Sequence, residues 1–104
     1  MYTLYGLKNC DTSRKAAKAL GGTLIDIREK PLSRQMLERF EAAFGEALLN
    51  TRSATWRELD EDRRLEDPIE LMRAFPALMK RPVIARGDDL WLGWGADVQG
   101  ALLG

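Results

Sequence analysis

The chain has no histidine, and that one omission removes several chemistries together. Without an imidazole there is no Cys-His or Ser-His dyad to activate a nucleophile, and no zinc-ligand set can be assembled. There is a single cysteine, so an internal disulfide is impossible and a reactive thiolate would have to arise from local electrostatics. Net charge is lacking too: 16 Lys and Arg balance 16 Asp and Glu, which leaves no long-range field to steer the protein toward nucleic acid or an anionic membrane. A local basic site stays open. Apolar runs are only a few residues long, too short for a membrane span, and Met1-Tyr2-Thr3-Leu4 has neither the charged start nor the apolar stretch of a signal peptide. The expectation is a cytoplasmic protein with no bound cofactor, no metal, and no nucleic-acid or membrane partner.

What is present describes an ordinary globular chain. Its 104 residues, 45% hydrophobic and 31% charged, suffice for one modest core and show no repeat, linker or low-complexity run, so residues 1–104 are read as a single domain. The stretch that organises it is Leu7-Lys8-Asn9-Cys10-Asp11-Thr12-Ser13-Arg14. Tyr2-Thr3-Leu4-Tyr5 alternates at the period of a strand that Gly6 breaks, and Arg14 to Leu20 reads as a helix stopped by Gly21-Gly22. Cys10 then falls at or just before a helix N-terminus, where unpaired N–H groups and the helix dipole favour a thiolate, with Lys8 and Arg14 able to add positive charge. A lone cysteine is also commonly a small buried hydrophobe. The polar neighbours of Cys10 favour a reactive thiol instead.

Thr23-Leu24-Ile25-Asp26-Ile27 reads as a second strand, parallel to the first across the helix. After the connector Arg28-Glu29-Lys30-Pro31, Ser33 is an N-cap for a helix whose Met36, Leu37, Phe40, Phe44, Ala47 and Leu48 form a core stripe interrupted by Gly45. Thr55-Trp56-Arg57-Glu58 has the form of a capping box and predicts a short helix starting at Thr55. Asp60 to Glu66 alternates in sign and reads as a solvated segment. Asp67 caps a further helix with Pro68 in its first position and Glu70 facing back, carrying Ile69, Leu71, Met72 and Phe75 and ending before Pro76. Val83 to Arg86 and Leu90 to Gly93 flank a Gly87-Asp88-Asp89 turn as an antiparallel hairpin, and Gly95 to Leu103 closes the chain as a helix with Val98, Ala101 and Leu102 inward. The resulting class is α/β, in the order βαβ…ββα, with a mixed four-stranded sheet and a helical insertion of about fifty residues, roughly 33–79. Cys10 then lies beyond the carboxyl end of the first strand, where open α/β sheets place ligands.

Three stretches together resemble the ArsC/Spx/MgsR family of thioredoxin-like proteins over nearly the whole chain: Tyr5-Gly6-Leu7-Lys8-Asn9-Cys10-Asp11-Thr12, Leu48-Leu49-Asn50-Thr51-Arg52-Ser53-Ala54-Thr55-Trp56-Arg57, and Arg81-Pro82 ahead of the hairpin. The first two are most similar to its small YffB-like branch. The resemblance implies a thioredoxin-like fold with Cys10 as the redox cysteine, Arg52 near the anion or thiol site, Arg81 facing the cysteine and Pro82 as a cis-proline. A cis X-Pro bond lets the preceding backbone pair with an extended thiol such as the glutathione peptide, and each arginine has the forked donors to hold a carboxylate or oxyanion and to lower the Cys10 pKa. Without the resemblance, both arginines read as surface ion-pair partners.

Two departures narrow what the resemblance implies. Glutaredoxin-linked arsenate reductases carry a third arginine in the last hairpin, where this chain has Leu90-Trp91-Leu92-Gly93-Trp94, so an oxyanion cage would be incomplete. The Cys-x-x-Cys pair of some Spx-type regulators is missing because position 13 is Ser13. The expected activity is a glutathione-dependent monothiol reductase, a thiol-disulfide oxidoreductase with Cys10 as nucleophile and glutathione or a protein thiol as co-substrate. The helix start and Lys8 would stabilise the thiolate, and Arg52 and Arg81 would orient the anionic part of glutathione. Thr12 and Ser13 either donate to the sulfur or cap the helix, and Asn9 is a loop former tolerant of unusual backbone angles. Trp56, Trp91 and Trp94 read as core or rim. The alternatives are an Spx-like regulator that binds RNA polymerase, and an arsenate reductase-like protein with an incomplete site.

Overall fold

A computed structural model describes residues 1–104. The chain divides into two compact units, a sheet unit of Met1–Lys30 with Arg81–Gly104 and a helical unit of Pro31–Lys80.

In the sheet unit, β1 (Thr3–Gly6) leads into α1 (Asp11–Leu20) and returns as β2 (Thr23–Asp26); β3 (Val83–Arg86) and β4 (Asp89–Leu92) form the hairpin, and α6 (Ala96–Leu103) ends the chain. The strand order is β2-β1-β3-β4. β1 runs parallel to β2 with Leu4 opposite Leu24, and antiparallel to β3 with Leu4 opposite Ile84. β3 pairs antiparallel with β4, Ile84 opposite Trp91. Because side chains alternate across a strand, these four residues share one face of the sheet. On it, Leu4 and Ile84 join Ala16 of α1 and Val98 of α6 in a buried cluster, packed by Ala17, Leu20, Trp91, Trp94 and Leu102. Ala101, expected inward, is exposed; α6 turns Val98 and Leu102 toward the cluster, four residues apart on one stripe.

Two details of β1 and α1 differ from the periodicity reading. Gly6 does not break β1 but is its last residue, paired with Asp26. α1 begins at Asp11, three residues before Arg14, because the polar first turn follows directly on Cys10, the N-cap. The helix stops at Gly21, which is left-handed (φ 62°), with the Gly21 and Gly22 N–H groups donating to the Lys18 and Ala17 carbonyls at 3.3 and 3.0 Å. A Cβ on Gly22 would lie 2.6 Å from Leu4 Cδ1 and 2.9 Å from the Tyr2 carbonyl oxygen, so glycine lets the chain turn tightly against β1.

The helical unit holds α2 (Arg34–Phe44), a 3₁₀ turn over Gly45–Leu48, α3 (Ala54–Glu58), α4 (Glu61–Arg64), α5 (Pro68–Ala74) and a second 3₁₀ turn over Pro76–Leu78. Ser33 caps α2 by accepting the Met36 N–H at 3.1 Å, as its sequence context predicts. α2 packs against α5, and Leu37, Phe40, Leu48, Ile69, Leu71, Met72, Leu78 and Met79 are buried. Ala47 is exposed: the turn after Gly45 tightens to 3₁₀ geometry, which turns Leu48 and not Ala47 into the core. The cap of α3 is Ser53 rather than Thr55, its hydroxyl accepting the Trp56 N–H at 3.1 Å. The charged segment carries the four-residue α4, capped by Asp60. Asp67 caps α5 through the Ile69 N–H at 3.0 Å with Pro68 at the first position. Glu70 does not fold back on that cap; its carboxylate takes Arg34 at 3.0 Å and Arg73 at 3.2 Å, while Arg34 also holds Asp67 at 2.8 Å. No helix is long and apolar enough to cross a membrane.

Candidate functional site

The loop leaving β1 is tied down residue by residue. Leu7 is buried, and its carbonyl accepts the Cys10 N–H at 3.1 Å, closing a turn with Lys8 and Asn9 at its tip. The Lys8 N–H donates to Asp26 Oδ2 at 2.9 Å, and the same carboxylate accepts the Arg28 and Glu29 N–H groups at 2.8 and 3.4 Å. These donors hold the Asp26 pKa below the usual carboxylate range, the Lys8 N–H most of all. Asn9 is exposed and its backbone is not left-handed, so the tolerance of unusual angles expected of it is not used.

Cys10 is half-buried at the N-cap of α1 in extended backbone (φ −98°, ψ 117°), and its carbonyl takes the Arg14 N–H at 3.1 Å. Burial pushes its thiol pKa up, but the Ser13 hydroxyl and backbone N–H, followed by the Arg81 guanidinium through a hydrogen bond and its charge, outweigh burial and bring it below the ordinary thiol value. The cations that the sequence placed near the sulfur are engaged elsewhere. Lys8 pairs with Glu29 at 2.9 Å, which raises the Lys8 pKa, and Arg14 pairs with Asp11. The positive charge that acts on Cys10 comes instead from Arg81, on the far side of the sequence.

Arg81 is half-buried and Pro82 fully buried, and the peptide bond joining them is cis. The Pro82 carbonyl accepts the Gly93 N–H at 2.8 Å, which extends the hairpin pairing to the mouth of the site. The sheet unit thus brings together Cys10, Ser13 and Arg81, with Pro82 beside Arg81. Thr12 is exposed in the first turn of α1. Ser13 is 0% exposed, the one polar side chain that is buried, and neither it nor Thr12 is the helix cap. Arg52 belongs to the helical unit, in a turn where its N–H donates to Asn50 Oδ1 at 3.1 Å. There it lines a cavity of about 420 Å³ with Asn50, Thr51, Glu46 and Lys80.

Trp91 and Trp94 pack on the sheet cluster, Trp91 edge-on to Tyr2 with Arg86 over both rings. Trp56 lies under Arg64, whose guanidinium closes the end of α3 by donating to the Trp56 and Arg57 carbonyls. Two contributors escaped sequence reasoning. Asp26 looks like the end of a strand, and Gly6 like a strand breaker; an isolated glycine in a strand is nonetheless a signal of close approach.

A βαβ…ββα chain with a mixed four-stranded sheet and its single thiol at the start of α1 defines a protein of thioredoxin-like fold. The ArsC family model matches residues 5–101, and the chain belongs to the ArsC family. It is 34% identical to the solved YFFB (PA3664) protein, with a TM-score of 0.89 over 100% of both chains. It is 37% identical to a solved arsenate reductase (ArsC) related protein from Brucella melitensis, with a TM-score of 0.74, covering 98% of this chain and 93% of that one. Among relatives known by sequence, the global transcriptional regulator Spx of Streptococcus pyogenes is 31% identical, covering 93% of this chain and 81% of Spx.

Proposed function

We propose that this protein is a glutathione-dependent monothiol reductase in which Cys10 attacks glutathione mixed disulfides. The observation that carries the reading is the pair of groups on the sulfur: the Ser13 hydroxyl and the Arg81 guanidinium favour the thiolate in a chain that has no histidine to act as base. The Cys10 thiolate attacks the glutathione sulfur of R–S–S–G, forming a Cys10–glutathione disulfide and releasing RS⁻, which takes a proton from solvent. A second glutathione thiolate attacks that disulfide, yielding oxidised glutathione and restoring the Cys10 thiolate. The sum is RSSG + GSH → RSH + GSSG, with both electrons supplied by glutathione. Arg81 would bind a carboxylate of glutathione, and Pro82 would orient the backbone that pairs with the peptide. Lys8, Asn9 and Thr12 would form the surrounding surface.

The test is glutathione-dependent reduction of a glutathionylated peptide, coupled to glutathione reductase, with mass spectrometry of the enzyme. Turnover by the wild type, a Cys10–glutathione adduct, and loss of both in Cys10→Ser are expected. A wild type that neither turns over nor forms the adduct refutes the reading. The 31% identity to Spx supports a second one, a transcriptional regulator that binds RNA polymerase. With one cysteine, such a regulator would lack an internal disulfide switch. Stoichiometric recovery of core polymerase in a pull-down from bacterial extract would favour it.

A further inference from the structure

Ser13 poses a packing question. It is the one buried polar side chain of the protein, in the first turns of α1 where a small apolar residue would serve packing equally well. A buried hydroxyl is costly unless its hydrogen-bonding capacity is used. Its oxygen accepts from the Leu7 N–H at 3.4 Å, a long contact that uses acceptor capacity only, and the hydroxyl is also hydrogen-bonded to Cys10. Room for that oxygen comes from across the turn. A Cβ built on Gly6 would lie 2.3 Å from Ser13 Oγ, a distance at which the hydroxyl has to move, and 3.0 Å from Ser13 Cβ, a tight contact that a shift of a few tenths of an ångström relieves. The backbone of Gly6 is independently fixed: it pairs with Asp26 in the parallel ladder, and its carbonyl accepts the Ile27 N–H at 2.9 Å. Gly6 cannot retreat, so a side chain there would displace the hydroxyl. Its φ is not positive, so the requirement for glycine is one of space and not of backbone conformation.

We propose that Gly6 is a positioning residue for Cys10: the space left by its missing side chain holds the Ser13 hydroxyl between the Leu7 N–H and the Cys10 sulfur. The inference rests on the reading of Cys10 as the reacting thiolate, and gives the last residue of β1 a role in the chemistry of a thiol four residues later. The favourable effect of Ser13 on the thiolate agrees with it.

The experiment is the pH dependence of Cys10 alkylation by iodoacetamide in the wild type, Gly6→Ala, Ser13→Ala and the double variant. Because this readout needs neither glutathione nor turnover, it can fail or succeed independently of the reductase assay. Gly6→Ala is expected to move the profile to higher pH and slow alkylation below the midpoint about threefold, the remainder of a tenfold loss of thiolate after its higher nucleophilicity is counted. Ser13→Ala should do the same. The double variant should match Ser13→Ala closely, because once the oxygen is gone the 2.3 Å clash is removed and only the 3.0 Å contact with the Cβ at position 13 is left, which a shift of a few tenths of an ångström relieves. A Gly6→Ala profile that superimposes on the wild type, or a double variant whose shift is the sum of the two singles, overturns the proposal. If Gly6→Ala does not fold, removal of the clashing oxygen should restore soluble protein in the double variant with the Ser13→Ala profile; a double variant that also fails to fold overturns it.

Discussion

Replacing Arg81 with glutamine removes a charge from the Cys10 sulfur while keeping most of the side-chain volume, and the structure sets the size of the effect. At hydrogen-bonding separation, about 4 Å, a guanidinium and a thiolate attract by about 4 kcal/mol at an effective dielectric near 20 and about 1 kcal/mol in bulk water. Cys10 is half-buried, so solvent screening brings the interaction toward the lower figure, about 1–2 kcal/mol. A loss of about 1.4 kcal/mol shifts the thiol–thiolate equilibrium tenfold toward the thiol. The remaining thiolate is more basic and, with a Brønsted slope of about 0.4–0.5, about threefold more nucleophilic. Below the thiol midpoint Arg81→Gln should therefore react with iodoacetamide about threefold more slowly than the wild type, and well above it about threefold faster. The two profiles should cross. Arg81→Lys retains charge but loses the planar fork, and its profile should fall between them. Alkylation rates from pH 5 to 10, read by mass spectrometry, decide the matter. An Arg81→Gln profile that lies on the wild-type curve at every pH would refute the assignment of Arg81 as the cation at Cys10.

Two further outcomes concern the fold that carries the site. Phe40, with no exposed surface, should cost about 3–5 kcal/mol when changed to alanine, because α2 and α5 cannot close the cavity left behind; urea unfolding followed by circular dichroism measures it, and a loss below about 1 kcal/mol would contradict a packed core there. Asp26 and Asp67 both have folded pKa values below their unfolded ones, Asp26 through the Lys8 N–H and Asp67 through Arg34, so each contributes stability above its unfolded pKa of about 3.9 that is lost as pH falls through the folded value. Unfolding free energy should decline as pH drops from 5 toward 2, and Asp26→Asn should flatten part of that decline; an unchanged slope in the variant would show that its carboxylate does not hold the loop.

Much of the architecture is legible in local patterns. Alternation in Tyr2-Thr3-Leu4-Tyr5 and the β-branched run after Gly22 specify strands, Ser33 and Asp67-Pro68 specify helix starts, and Gly21-Gly22 a helix end, because each depends on neighbours within a few residues. The same locality explains the misreadings. Thr55 and Ser53 are both competent caps, and only the turn that bends Asn50 toward Ser53 decides between them, with the Ser53 hydroxyl donating to the Asn50 carbonyl at 2.9 Å. Ala47 and Ala101 satisfy helical spacing, but spacing does not reveal where a helix tightens or which edge of its stripe meets the sheet.

At the site, the sequence alone determines that a single thiol sits at a helix start without a histidine, and hence that any activation must be electrostatic. Which charges supply it is a tertiary decision. Lys8 and Arg14 are nearest in sequence, yet Glu29 and Asp11 take them, while Arg81 reaches Cys10 only because β3 pairs antiparallel with β1. The same holds for Gly6 and Ser13, seven positions apart, whose contact exists only after α1 folds back across the end of β1. Local patterns fix what each residue can offer the sulfur; Coulomb and steric forces act through space, so the folded chain decides which of those offers arrives.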